Sequence, residues 1–368
     1  MQSARLIAFL LACALTHQLY AQAFIPQGTN YFGALSRNGQ HYVTYNANGD
    51  VYRWSRSTNQ VLPLGINLLN GYPAAISDDG AVIAGYHRNA SNQTIAFRWT
   101  ASTGFLDLGD LPGGTTFSMA RGMSADGSVI VGSSGSTAAG TRDEAFRWTA
   151  ATGMVALGDL AGGNYTSTAT SVSADGSVIV GYSNQTLGYE AFRWTQSTGL
   201  SGLGDIPGGF FNSQAYKVSS DGNVIAGYSS DSLNREQAFR WTLTDGMVAL
   251  GFASPNPNEW SQGKATNLIG TLIGGNNNTG ATAADIDAII WDPARGMRYF
   301  KDALVQDHAL TTPNWNLTGI WDISDDGRTI AGSGYFNGVN QSWVFIPEPT
   351  GMIALSFLSI LVQRSKRA

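Results

Sequence analysis

Past residue 23 the chain holds three histidines, His41, His87 and His308, well separated and none beside a recurring serine or carboxylate. A Ser-His-Asp relay therefore has no framework, and the short fixed spacings of zinc ligands are missing. Scattered polar histidines of this kind are read as solvated side chains. The only cysteine, Cys13, lies near the start, within the first apolar stretch, so the rest of the chain has no disulfide, thiolate nucleophile or cysteine metal site. No catalytic residue, metal ligand or cofactor is assigned.

Two groups of residues remain that could do chemistry. Asp-Gly steps recur at Asp79, Asp126, Asp175, Asp221 and Asp326, and two of these, Asp78-Asp79 and Asp325-Asp326, bring the paired carboxylates that calcium would want. Elsewhere a lone aspartate before glycine is what a tight hairpin needs, and the turn reading is preferred. The second group is aromatic. Tyr31, Tyr72, Phe117, Tyr165, Phe210 with Phe211, Trp260 and Trp315 fall one to a segment between repeated units. Such a ring can stack on sugar or peptide surfaces, or each member can plug the apolar seam beneath its loop. On the first reading the ligand-binding candidates are Tyr72, Phe117, Tyr165, Phe211, Trp260 and Trp315.

The elements that must position these residues are repeats. The clearest unit runs from Thr168 to Gly209: the segment Thr168 to Ala174, Asp175-Gly176, Ser177-Val178-Ile179-Val180-Gly181, a polar loop, Glu190-Ala191-Phe192-Arg193-Trp194-Thr195, a turn at Thr198-Gly199, then Leu203-Gly204-Asp205-Ile206 with Pro207-Gly208-Gly209. Four short strands alternate with turn signals. The tryptophan of the third strand recurs at Trp54, Trp99, Trp148, Trp194, Trp241, Trp291 and Trp343. About 45 residues with four strands each is the signature of a propeller blade, so the predicted fold is all-β: a β-propeller of about seven four-stranded blades.

The last unit stops after its third strand, and Phe24-Ile25-Pro26-Gln27-Gly28 parallels the end of a fourth strand, Asp205-Ile206-Pro207-Gly208-Gly209. An N-terminal strand completing the last blade would close the ring and remove exposed sheet edges. Within a unit Phe192 and Trp194 share one face by strand period, and Asp110, Asp159 and Asp205 are placed to answer Arg98, Arg147 and Arg193 across the other. Residues 301–310 are read as a short helix turning Ala303, Leu304 and Ala309 inward. Connections between second and third strands vary in length, and function on a rigid scaffold gathers on such loops.

Glu144-Ala145-Phe146-Arg147-Trp148-Thr149, its counterparts at 190–195 and 237–242, and Leu108-Gly109-Asp110-Leu111-Pro112-Gly113-Gly114 resemble the extracellular HAF repeats of bacteria. Glutamate or glutamine stands in the histidine position, and the unit around Trp291 lacks both the Asp-Gly turn and the Ala-Phe pair. The resemblance implies an extracellular repeat protein and transfers no catalytic residue.

The two ends carry addressing signals. Arg5, an apolar run to Leu15 and Ala21-Gln22-Ala23 read as a signal peptide over residues 1–23. At the other end Pro347-Glu348-Pro349, an apolar run from Met352 to Val362 and the basic residues Arg364, Lys366 and Arg367 resemble a PEP-CTERM sorting signal over residues 346–368. That resemblance implies an exosortase-type processing enzyme as partner and a transient contact with the inner membrane. Eleven apolar residues are too few for a permanent span. Without these ends, residues 24–345 keep 17 basic and 25 acidic side chains, about −8, which disfavours nucleic acid. The expectation is a non-catalytic exported protein of the cell surface or extracellular matrix, a binding or structural module acting through its variable-loop face, with an exopolysaccharide or surface glycan as a candidate partner. The alternative is a glycan-binding or glycan-active propeller using the same face.

Overall fold

In a computed structural model of the chain, the described residues are 23–26, 30–68, 70–139, 143–280 and 285–347. Of the segments read as a signal peptide (1–23) and a sorting signal (346–368), residues 1–22 and 348–368 lie outside them.

Among the described residues 28 strands form seven four-stranded antiparallel sheets, each meandering outward in chain order. The fold is a seven-bladed β-propeller. Blades 1 to 6 occupy residues 31–67, 72–107, 118–158, 167–202, 213–249 and 260–299, and blade 7 occupies residues 315–346. Blade 7 takes its outermost strand from the other end of the chain. Ala23–Pro26 pairs antiparallel with Val339–Ile346, and Phe24 faces Phe345 while Pro26 faces Trp343.

The sequence repeat becomes packing at the seams. Phe97, Phe146, Phe192 and Phe239 are fully buried, each contributing about 1.5–3 kcal/mol. Phe192 packs against Val129, Val131 and Ala145 of the preceding blade, while Val178, Val180 and Ala191 of the same sheet meet Phe239 of the next. Each sheet thus turns its aromatic face backward and its valine face forward. The helix is Phe300–His308, burying Phe300, Ala303 and Leu304 against blade 7. Ala309 differs from expectation: it caps the helix at φ 52° and is exposed.

Hydrogen bonds stitch the seams as well. Ser118, Ser167 and Ser213, buried at the start of the innermost strands, each accept a bond from an Ala N–H of the preceding blade (Ala96, Ala145 and Ala191) at 2.9–3.0 Å. Each hydroxyl then donates to the glycine carbonyl of that blade's Leu-Gly-Asp segment, at Gly109, Gly158 and Gly204.

The third-strand arginines do not meet the expected aspartates. Arg98 donates to the carbonyl of Gly127 at 3.3 Å, Arg53 to Gly80 at 2.7 Å and Arg240 to Gly270 at 3.3 Å, each the turn glycine of the next blade. The reason is direction. Each third strand ends on the face of the Asp-Gly turns, whereas Asp110, Asp159 and Asp205 follow a fourth strand that has run back to the opposite face.

Candidate functional site

The Asp-Gly turns are self-satisfied. Asp126 Oδ1 accepts from Ser124 Oγ at 2.6 Å and from the N–H of Ser128 at 2.9 Å, while Ser124 Oγ accepts the N–H of Val129 at 2.9 Å. The same three bonds recur around Asp79, Asp175, Asp221 and Asp326. The serine hydroxyls hold Asp79, Asp126 and Asp175 below the usual carboxylate range. Blade 6 builds the same turn from Asn267 to Gly270, with Asn267 Oδ1 accepting from Thr271 and Leu272. Among the described residues no group of three His, Cys, Asp or Glu side chains could hold a metal.

These turns also link into a collar around the axis, with backbone bonds across five of the seven seams. The N–H of Asp78 donates to Ala125 O, Ala125 to Ala174 O, Ala174 to Ser220 O, Leu268 to Asp325 O and Asp325 to Arg37 O, at 2.7–3.2 Å. Across this collar lies the Arg37 side chain. Its guanidinium donates to Ser220 Oγ at 3.0 Å and to the carbonyl of Val172, and Ser220 Oγ donates in turn to Asp325. Arg37 of blade 1 thereby reaches blades 4 and 5 and floors the channel.

Above the floor the channel widens toward the variable-loop face into a cavity of about 510 Å³. The innermost strands build it through one repeated irregularity. In every blade the pairing of first and second strands slips where an extra residue bulges out of register, at Gly33, Ala74, Arg121, Thr170, Tyr216, Lys264 and, in blade 7, Trp321, where a second slip falls at Thr318. A bulge re-aims a side chain that strict alternation would place elsewhere. All seven bulge residues line the cavity. Each stands three positions before the turn residue that opens the collar (Ser36, Ser77, Ser124, Ser173, Ser219, Asn267 or Ser324). The positions around this column repeat closely, while the column itself runs from glycine to tryptophan.

The wall is aromatic and cationic. Tyr31, Tyr72 and Tyr86 rise over Gly33 and Ala74, with Tyr72 and Tyr86 stacked at 6.2 Å. On the far side of the ring Tyr216, Lys264 and Trp321 come from consecutive blades. The Lys264 ammonium lies 3.2 Å from the centre of the Tyr216 ring, and burial pushes its pKa down to about 7. Lys217 pairs with Asp322, whose other oxygen accepts the N–H of Leu35 at 3.1 Å. Asp322 is the one carboxylate among the described lining residues.

Of the six aromatic candidates, Tyr72 alone lines this cavity, its hydroxyl donating to Gly33 O at 3.1 Å. Trp315 is 6% exposed and packs on Phe336 at 5.4 Å in the blade 7 core. Tyr165 donates its hydroxyl to Glu144 at 2.8 Å. Phe117, Phe211 and Trp260 are half-buried away from the axis. Among the histidines, His87 meets Asp107 at 2.7 Å beside Phe105, His41 meets Ser55 at 3.1 Å, and His308 lies against Phe345.

No protein-family model matches the sequence, and no curated protein matches it. Among solved structures the fold is similar to TolB from Acinetobacter baumannii, at 13% identity with a TM-score of 0.47, over 84% of this chain and 80% of that one. It is also similar to the putative TolB from Agrobacterium tumefaciens, at 13% identity with a TM-score of 0.42, over 86% of this chain and 91% of that one.

Proposed function

We propose that this chain is an exported, non-catalytic binding protein of the bacterial surface or extracellular matrix, which takes its ligand at the mouth of the propeller channel. The observation that carries the reading is the blind cavity of about 510 Å³ to whose wall every blade contributes a bulge residue. A concave site of this size, largely aromatic with a few polar groups, suits a small ligand or the end of a larger one. Export and sorting rest on the signal peptide and on Pro347-Glu348-Pro349, through which an exosortase-type enzyme would release the body from a transient membrane contact. The ligand class that suits the aromatic wall is an exopolysaccharide or surface glycan.

The rival reading, a glycan-hydrolysing propeller, needs two carboxylates about 5–9 Å apart at the reacting bond. Asp322 stands without a second carboxylate among the described lining residues, and both its oxygens are engaged. This favours binding over hydrolysis.

A glycan array probed with the full chain and with Trp321→Ala tests the site. Binding that falls in the variant supports the channel mouth, and equal signals from both proteins overturn it. Replacing Pro347-Glu348-Pro349 by alanines and reading both termini by mass spectrometry tests sorting. An unchanged C-terminus in the two proteins overturns that part.

A further inference from the structure

Charge at the cavity runs against the charge of the chain. The protein carries a formal −5, yet the described wall of its channel presents Arg121, Lys217 and Lys264 against Asp322 alone. Lys217 and Asp322 neutralise one another. Arg121 and Lys264 remain, both in the bulge column, each within electrostatic reach of a carboxylate outside the lining, Asp143 and Glu236.

Neither has a carboxylate within 4 Å among the described residues. Lys264 is the more telling. Its ammonium is largely withdrawn from water and answered by the face of Tyr216. A ring face returns only part of the hydration that an ammonium loses. The Glu236 carboxylate raises its pKa but is held by the side chain of Gln262, outside the lining. A cation kept in this condition at the bottom of an open mouth gains from a carboxylate that arrives with a ligand.

The other lining groups narrow the class. Tyr216 and Trp321 flank Lys264 from the neighbouring blades, and the tyrosines of blades 1 and 2 face them across the ring. Aromatic walls suit the C–H faces of a pyranose, and tyrosine hydroxyls suit its ring oxygens. Arg37 closes the floor, so a long extended chain cannot thread the channel, and the net negative charge argues against a nucleic acid.

We propose that the channel mouth binds a carboxylated sugar unit of an acidic saccharide, with Lys264 and Arg121 as its cationic contacts and Tyr216 and Trp321 as its stacking surfaces. This rests on the reading of the channel mouth as the binding site.

The test is calorimetric titration of the full chain with trigalacturonate, with neutral galactotriose and with triglutamate, at low and high salt, repeated with Lys264→Met and Arg121→Gln. The expected result is binding of trigalacturonate at least about tenfold tighter than galactotriose, weakened by salt and weakened at least about tenfold in each variant. Thermal melting checks that both variants fold. Equal binding of galactotriose overturns the charge requirement while leaving the channel mouth as a glycan site. Trigalacturonate binding that neither variant alters moves the site elsewhere and overturns the channel-mouth reading as well. Binding of triglutamate in place of trigalacturonate makes the partner a peptide and overturns the saccharide, as does the failure of all three probes.

Discussion

The guanidinium of Arg37 reaches Ser220 Oγ at 3.0 Å, joining two residues 183 positions apart across the narrow end of the channel. Because Ser220 also donates to Asp325, one side chain ties blade 1 to blade 5 and, through the serine, to blade 7. Replacing Arg37 by methionine takes this donor from Ser220 Oγ and from the carbonyl of Val172, and removes the cation near Asp325. A loss of about 2 kcal/mol is expected, read as a lower midpoint in urea unfolding.

Lys264 gives a pH dependence of definite sign. Its pKa is lowered to about 7, chiefly by burial, so from there up to its ordinary value the unfolded chain binds the extra proton. Stability from this group therefore rises with pH above about 7 and is least below it. The charged or titrating groups that face it are Tyr216, Lys217 and Glu236 of blade 5 and Asp322 of blade 7. Lys264→Met is expected to be more stable than the parent at pH 6 by roughly 1–2 kcal/mol, after allowance for water at the mouth, with the gap closing toward pH 10. Denaturant unfolding at the two pH values checks this, and affinity for an acidic ligand should strengthen as pH falls through 7.

Ser213 shows what a seam stitch contributes. Its hydroxyl accepts from Ala191 N–H at 2.9 Å and donates to Gly204 O at 2.6 Å, fully buried. Ser213→Ala orphans both backbone groups, at a cost of about 1–3 kcal/mol. Ser118→Ala and Ser167→Ala should lose similar amounts in thermal unfolding.

Trp315 separates core from platform. Its burial against Phe336 predicts that Trp315→Ala lowers stability by about 3–5 kcal/mol. Ligand affinity, measured well below the melting temperature, should stay unchanged.

Removing residues up to Pro26 takes away the strand that covers Val339–Ile346. An uncovered edge pairs with another chain, so light scattering should show dimers or larger species, and the melting temperature should drop.

Much of this architecture was legible because the repeat speaks through rigid requirements. Seven tryptophans and the Asp-Gly turns counted the blades, and the likeness of Phe24–Gly28 to Asp205–Gly209 predicted the closure that Ala23–Pro26 makes. The blade 6 turn went unseen because Ile269 stands where the aspartate of the Asp-Gly step would be, although Gly270 falls 48 residues after Gly222. The arginine partners were misassigned because spacing within a unit does not say at which end of an antiparallel sheet a residue emerges. The cavity wall was hidden for a related reason. Arg121, Tyr216, Lys264 and Trp321 face the axis through bulges, and a period-two reading cannot place a residue that breaks the period. Their common offset from the collar residue was the available signal.

That offset has an evolutionary reach. Six of the seven wall positions carry their side chains outside the ladder that holds each sheet together, so exchanging Ala74 for something larger, or Lys264 for an acid, would rewrite what the proposed site prefers with the frame still assembling; Gly33 is the exception, because a Cβ there would meet the carbonyl oxygen of Val43 at 2.6 Å. Such a molecule can change its taste one letter at a time.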